Sequence, residues 1–298
     1  MLPSQEDMEK IFNASHHPSI LTHEILTLPY TVLDQNGVKT SEILQELPKC
    51  NTHPVLIARY MLQLAIFLQR LHNDHHGAVK NMSESPRAIT KRMVDGAISL
   101  VTTNEELIGS IEGLECVMIE SMYQVNVGNL RRSWVANRRA MNIAQLMSLN
   151  RSADRSQCKV LDCKTECEPQ LMWFRILFLD RQLCLMLGLP QGSLDHSIAS
   201  PALLASDTPM GRLERIHCLV ASRILARNES DLDSHNRPLT QALDLELRRA
   251  AACLPCRWYA PRGTKHICLN SKTNAAPYFT FPYTFQKYAD LLPQLLGG

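Results

Sequence analysis

The chain has 298 residues, of which 45% are hydrophobic and 20% are charged, and its formal net charge is +2. This composition is typical of a globular protein that buries its core in one large domain or two small ones. A charge of +2 is too small to indicate a nucleic-acid or membrane partner by itself. The opening residues, MLPSQEDMEKIF, are acidic and lack the apolar stretch of a secretory signal peptide. We therefore expect the ten cysteines to be reduced thiols.

Apolar residues recur at helical spacing along most of the chain. The first strong pattern begins at Pro54, a residue type that favours the first position of a helix. Arg59, Gln63 and Arg70 form a narrow polar strip on this segment, and apolar side chains occupy the rest of its circumference. Such a helix is typical of the interior of a bundle.

Further along the chain, turn and capping residues separate the helical patterns. Thr103 and Glu106 have the spacing of a capping box and predict the start of a helix that runs to about Val125. Residues 191–207 predict an irregular connection between two later helices. In chain order, the predicted helices cover residues 4–13, 40–47, 54–72, 86–100, 103–125, the segment after Gly128 and Asn129, 169–187, 209–228 and 239–253.

The longest apolar run, from Leu171 to Pro190, approaches the length of a membrane span. Charged residues interrupt its middle, and each charge at the centre of a bilayer costs about 3 kcal/mol. We therefore expect a buried central helix of a bundle, in which Asp180, next to Arg181, is an internally paired charge rather than a catalytic acid.

The sequence predicts an all-α fold, an irregular helical bundle of about 7–9 helices, because no strand pattern of any length precedes the tail. The tail differs from the rest of the chain. Residues 257–298 have no helical period and contain the aromatic segment APYFTFPYTFQKY, whose prolines disfavour a long helix. We expect this tail to be poorly ordered or loosely docked.

The sequence contains no group of residues that would predict an enzyme active site. Cys158, Cys163 and Cys167 lie in a polar segment, but no fourth ligand stands at a spacing that a structural zinc site uses. Cys253 and Cys256 have C-x-x-C spacing, yet they follow a helix rather than open one as in a thioredoxin-like site. Phosphate-binding, nucleophile-elbow and zinc-protease motifs are absent. We therefore expect no catalytic residue, no cofactor and no metal ion.

Four arginines share one face of the helix after Gly128 and Asn129: Arg131, Arg132, Arg138 and Arg139. One hypothesis is that they contact DNA phosphates, which makes them weak DNA-binding candidates. The other is that they are the solvated side of a packing helix. Val135 and Leu146 lie among the arginines, and this favours the packing helix. The opposite face is lined by Ala136, Ala140, Ile143, Ala144 and Met147.

Several segments resemble the regulatory domain of fungal transcription factors of the binuclear zinc-cluster family. The segment LMWFRILFLDRQLCLMLGLPQGSLDHSIASP is similar to the family's most diagnostic helix, an aromatic-rich stretch with an Asp-Arg pair before LGLP. LRRSWVANRRAMNIAQLMSLNR, residues 53–71 and residues 207–228 are also similar to that domain. The resemblance covers about residues 40–256. It implies a function in transcriptional regulation, for example of metabolic or secondary-metabolite genes.

The resemblance also implies what this chain lacks. Factors of this family carry a zinc cluster of six cysteines before the regulatory domain, whereas Cys50 is the only cysteine before residue 116. We therefore expect residues 1–39 to be a lead-in, residues 40–256 a partial regulatory domain that ends early, and residues 257–298 a divergent tail.

Without a zinc cluster, the chain is not expected to bind DNA sequence-specifically on its own. Its expected partners are a DNA-binding transcription factor or the transcription machinery, and no membrane is expected. The resemblance implies a nuclear location. From the residues alone, without the resemblance, a cytoplasmic location is expected. The alternative that the residues leave open is a helical small-molecule-binding or enzymatic domain.

Overall fold

The computed structural model describes residues 2–14, 24–32, 44, 46–49, 51–74, 82–151, 158–229 and 237–252. The chain divides into two compact units, residues 1–183 and residues 184–298. All regular elements in the described ranges are helical, which confirms the predicted all-α class. The predicted tail, most of the predicted helix over 40–47 and the Cys253–Cys256 pair lie outside the described residues.

The described part of the first unit contains six helices and the start of a seventh. The bounds are α1 Gln5–Ala14, α2 Glu24–Thr27, α3 Pro54–Asp74, α4 Pro86–Ala97, α5 Ile111–Asn126, α6 Leu130–Leu146 and α7 Pro169–Leu187, and a π-helical turn, Ile98–Thr102, follows α4. Helix α7 crosses the boundary between the units. The second unit holds a 3₁₀ turn, Ser197–Ala199, and the helices α8 Pro201–Ser206, α9 Pro209–Glu229 and α10 Arg237–Ala252.

Helix α5 is the centre of the first unit. Every residue from Ile111 to Met122 is buried, because α3 packs on one side of α5 and α6 on another. Helix α4 in turn packs against α3, whose Leu62, Leu64 and Leu68 are almost fully buried. The interior position that the sequence predicts for α3 is therefore confirmed.

The predicted capping box at Thr103 and Glu106 is wrong. Helix α5 begins at Ile111, and its N-cap is Ser110, whose side chain accepts a hydrogen bond from the Gly113 N–H at 3.1 Å. Thr103 instead ends the π-helical turn, and its hydroxyl donates to the Ile98 carbonyl at 2.7 Å. The local pattern fails here because the Thr103 side chain has a closer partner in the preceding turn.

The other strong start and stop signals are confirmed. Ser85 caps α4 and accepts from the Ala88 N–H, and α7 ends before Gly188, whose φ of +65° suits a residue without a side chain. The connection over 191–207 is less irregular than predicted. It contains the short helix α8, which Ser200 caps.

The charges inside the apolar helix α7 are buried and paired rather than exposed to lipid. Arg175 donates from Nε to the Ile25 carbonyl at 3.0 Å, and its guanidinium lies 5.3 Å from the ring centroid of Tyr30. This contact joins α2 to α7. Within the part of the chain that the structure describes, no helix is both long and apolar enough to span a bilayer.

In the second unit, α9 and α10 pack through a small apolar cluster of Val220, Ile224 and Leu243. Arg215 on α9 forms an ion pair with Asp207 at 2.7 Å and donates to the Ile198 carbonyl at 2.7 Å. These two bonds fix the 3₁₀ turn and the start of α9 to each other.

The backbone of Ile108 packs closely against α5 at Gly113. A Cβ atom at Gly113 would lie 2.7 Å from the Ile108 Cα and 2.8 Å from its carbonyl atoms. Backbone cannot move aside as a flexible side chain can, so we expect Gly113→Ala to reduce the free energy of unfolding by about 1–3 kcal/mol. Urea denaturation measures this. Gly109→Ala is the matched control, because a Cβ there meets nothing within 4 Å. An equal loss in both variants would contradict the packing.

Candidate functional site

Helix α6 presents two faces with different roles. It contains four arginines and no acidic residue. Its inner face is buried and is built largely from small residues, namely Ser133, Ala136, Asn137, Ala140, Met141 and Ala144. The Ser121 hydroxyl on α5 donates to the Ser133 carbonyl at 2.9 Å, and the Asn137 amide donates to the Ile176 carbonyl at 3.0 Å. These bonds fix the rotation of α6 about its axis.

Arg138 belongs to the packing of the first unit. Its Nε lies 2.8 Å from Oδ1 of Asp180, whose side chain is only 1% exposed. The Arg138 guanidinium also lies 4.9 Å from the ring centroid of Trp134. Asp180 is thus an ion-paired carboxylate, as the sequence predicts, and Arg138 of α6 is a partner in that pair. A guanidinium held in this way is poorly placed to contact a phosphate.

Arg139 is half-buried and lies near a buried acid. Burial raises the pKa of Glu120, and a hydrogen bond with Thr102 and the charge of Arg139 partly oppose that rise. Glu120 is 7% exposed and lies on the central helix α5. Part of the Arg139 charge therefore compensates a carboxyl group inside the protein.

Arg131 and Arg132 are exposed, and neither forms an ion pair with any residue that the structure describes. A hydrogen bond to Asp95 raises the pKa of Lys91 on α4, and the nearby charge of Arg132 opposes that rise. The charges of Arg132 and Lys91 are therefore close enough to influence each other. The structure divides the four arginines into two structural ones and two that face solvent.

Two apolar side chains are exposed on the same outer face. Val135 is 52% exposed and Leu146 is 86% exposed. Asn142 and Gln145 are exposed beside them. The outer face of α6 is therefore a mixed basic and apolar surface rather than a uniform cationic one.

A buried polar network around α5 was not predicted from the sequence. Glu112 accepts hydrogen bonds from the backbone N–H groups of Leu161 and Asp162 at 3.0–3.1 Å and from the Thr165 hydroxyl at 2.8 Å. Burial raises the pKa of Glu112, but the hydrogen bonds lower it by a larger amount, so the net shift of the pKa is downward. The segment 158–168 is thereby fastened to α5. An acidic residue within an apolar helical pattern gives little indication of which segment it contacts.

The segment 158–168 contains Cys158, Cys163 and Cys167, the three cysteines for which the sequence predicts no zinc site. Cys163 is exposed, whereas Cys158 and Cys167 are partly buried. Burial, and to a lesser degree the charge of Glu115, raises the pKa of Cys167 to about 11. A thiol with that pKa stays protonated at neutral pH and is a poor nucleophile. Among the residues that the structure describes, no three His, Cys, Asp or Glu side chains are grouped to hold a metal ion.

Among the described residues, His196 and Ser222 form a serine–histidine pair, and its geometry is structural. Nε2 of His196 lies 3.1 Å from Oγ of Ser222, but the Ser222 hydroxyl donates to Oε1 of Gln191 at 2.7 Å. Because that proton is committed to Gln191, His196 is the donor in the other bond. Ser222 is also only 1% exposed, so a substrate cannot reach it. The pair fastens the connection after α7 to α9.

The chain is similar to curated fungal regulators along most of its length. It is 60% identical over 262 residues, 88% of this chain, to a dehydrocurvularin biosynthesis regulator of Alternaria cinerariae. It is 56% identical over 265 residues, again 88% of this chain, to the protein of the same name from Aspergillus terreus. Transcription factor eupR of a Phoma species is 45% identical over 264 residues, 87% of this chain.

These relatives are longer than this chain. The chain spans 34% and 36% of the two dehydrocurvularin regulators and 56% of eupR. The similarity to fungal transcription regulators is confirmed, whereas the missing zinc cluster and the extent of the domain stay predictions. No family model matches the chain, and no solved structure matches it.

The division of the arginines gives a stability prediction. Arg138→Ala removes the cation beside the buried carboxylate of Asp180, so we expect a loss of about 2–3 kcal/mol in the free energy of unfolding. Arg131→Ala changes an exposed side chain and should alter it by less than about 0.5 kcal/mol. Urea denaturation of both variants provides the comparison. Equal stabilities would show that Arg138 is not structural.

Proposed function

We propose that this chain is a regulatory module of fungal transcription and that it controls genes for the biosynthesis of a secondary metabolite. The observation that carries the proposal is the 60% identity over 262 residues to a protein named as a biosynthesis regulator. The name of that relative refers to dehydrocurvularin, and the proposal for this chain specifies no metabolite.

The module acts through protein contacts rather than by reading DNA. Sequence-specific recognition requires side chains that reach base edges in a groove, and each good bidentate contact contributes about 1–3 kcal/mol of discrimination. Of the four candidate arginines, Arg138 and Arg139 face acidic groups of the protein itself. The two that remain support at most weak, salt-sensitive binding to phosphates. The partner is then a transcription factor with its own DNA-binding domain or the transcription machinery, and the site of action is the nucleus.

The proposal excludes catalysis as the function of the chain. The three relatives compared above are named as regulators or transcription factors, not as enzymes. The His196–Ser222 contact supports this, because its serine is closed to substrate.

Deletion and overexpression in the encoding fungus test the proposal. We expect both changes to alter the transcripts of one group of biosynthetic genes, and the intact coding sequence should restore them. Transcripts that stay the same in the deletion and the overexpression strain would contradict a regulatory function.

A second experiment tests the mode of action. The purified chain is offered random DNA duplexes at about 0.15 M salt, where weak phosphate contacts are screened. We expect no sequence to be enriched. Enrichment of one sequence that is lost in the Arg131→Ala/Arg132→Ala variant would show that the chain reads DNA through α6.

A further inference from the structure

The outer face of α6 carries a continuous line of side chains. Arg131, Val135, Arg139, Asn142 and Leu146 follow one another at intervals of three or four residues and therefore lie along one side of the helix. We call these five residues the α6 stripe. At about 1.5 Å per residue, the stripe is about 22 Å long.

The apolar members of the stripe are unusually open to solvent. Leu146 is 86% exposed and Val135 is 52% exposed. At about 1.5 Å of rise per residue they stand about 16 Å apart along the helix axis. Single exposed aliphatic residues are common, but here two of them share one helix face with Arg131 and Arg139.

The charge around the stripe has one dominant sign. Arg131 and Arg132 are exposed near the N-terminus of α6, where the helix dipole adds partial positive charge. The charge of Lys91 is close enough to that of Arg132 for the two to influence each other. Of the acidic groups nearby, Asp95 is bonded to Lys91 at 2.6 Å and Glu120 is buried beneath Arg139. An acidic ligand would therefore be attracted to the N-terminal half of the stripe.

We propose that the α6 stripe is a docking surface for an acidic amphipathic helix of a partner protein. This inference rests on the proposed function and names the surface through which it acts. A DNA backbone would use the arginines but would gain nothing from Val135 and Leu146. A protein helix uses both, because its carboxylates meet Arg131 and Arg132 while its apolar side chains cover the two aliphatic residues.

The geometry of the stripe specifies the partner. Its carboxylates belong at the end that meets the N-terminus of α6, and its two apolar anchors belong at the eleven-residue separation of Val135 and Leu146. A contact of this size is small, so the complex is a transient one rather than an obligate assembly. Steering by the arginines makes its affinity fall as salt rises.

Binding of a designed peptide to the full 298-residue chain tests the proposal. The probe is a fluorescein-labelled helical peptide of about 18 residues, with glutamates at one end and two leucines eleven positions apart on one face. A peptide of the same composition with scrambled order controls for charge alone. Fluorescence anisotropy at about 0.15 M salt should show binding that is about tenfold weaker for the scrambled peptide.

Two pairs of variants separate the contributions of charge and apolar contact. Arg131→Glu/Arg132→Glu should weaken binding by about tenfold or more, and Val135→Ser/Leu146→Ser by about fivefold. The matched controls lie in the second unit. Arg248→Glu reverses a 78% exposed arginine side chain, and Leu194→Ser changes a 71% exposed leucine, and neither should alter binding.

Three results would overturn the proposal: equal binding of the designed and scrambled peptides, unchanged binding by Val135→Ser/Leu146→Ser, or displacement of the peptide by a DNA duplex at equal concentration. None of these results depends on the transcript measurements, which test the regulatory function separately. If transcripts respond to deletion and the peptide fails, the regulatory function stands and the surface is wrong. If the transcripts do not respond, the function itself is wrong.

Discussion

Three glutamates on a buried helix determine how the first unit is assembled. Glu112, Glu115 and Glu120 all lie on α5 and are all buried. An ionised carboxylate in a protein interior costs several kcal/mol unless other groups compensate its charge. Elements that supply such groups must therefore pack against α5. The charge of the buried carboxylates imposes this constraint in addition to the burial of apolar side chains.

Each glutamate recruits a different part of the chain. Glu115 lies 2.9 Å from Nε of Arg59 on α3 and accepts a hydrogen bond from Gln63 at 3.1 Å. Glu112 holds the segment 158–168 through backbone N–H groups, and Arg59 donates to Thr165 in the same segment at 3.2 Å. Glu120 lies near Arg139 of α6. The contacts of Glu115 and Glu112 place α3 and the cysteine-bearing segment against one central helix. Helix α6 packs on the same helix through the Ser121–Ser133 hydrogen bond, and its fixed rotation turns Arg131, Val135 and Leu146 to solvent.

The sequence predicted those parts of the fold that depend on local signals. The bounds of α7 and α9 agree closely with the prediction, because proline starts both helices and Gly188 ends the first. The start of α5 was wrong because the Thr103 hydroxyl bonds to the turn before it, and only the structure brings the two together. The short helices α2 and α8 were missed, since four and six residues give too little periodicity to detect.

The candidate site was predictable in composition but not in the roles of its residues. Seven-residue spacing places the four arginines on one face, and the structure agrees that this face is outside. Their division into structural and exposed pairs depends on Asp180 and Glu120, which belong to other helices. Likewise, the polar strip of Arg59 and Gln63 gave no sign that it faces a glutamate rather than water. Contacts between distant segments carry this information, and a single sequence does not report them.

The pH dependence of unfolding in Glu112→Gln tests the central constraint most directly. Because the net pKa of Glu112 is lowered, its stabilising contribution is present above the carboxyl pKa of the unfolded chain and is lost as pH falls through its folded pKa. We expect the variant to lose about 2–3 kcal/mol at pH 7, and the difference from the native chain to shrink as pH falls below the ordinary glutamate pKa of 4.5. Glu106→Gln, at an exposed position, should show no such difference at either pH. A Glu112→Gln chain as stable as the native one at pH 7, or a difference that does not change with pH, would contradict the account.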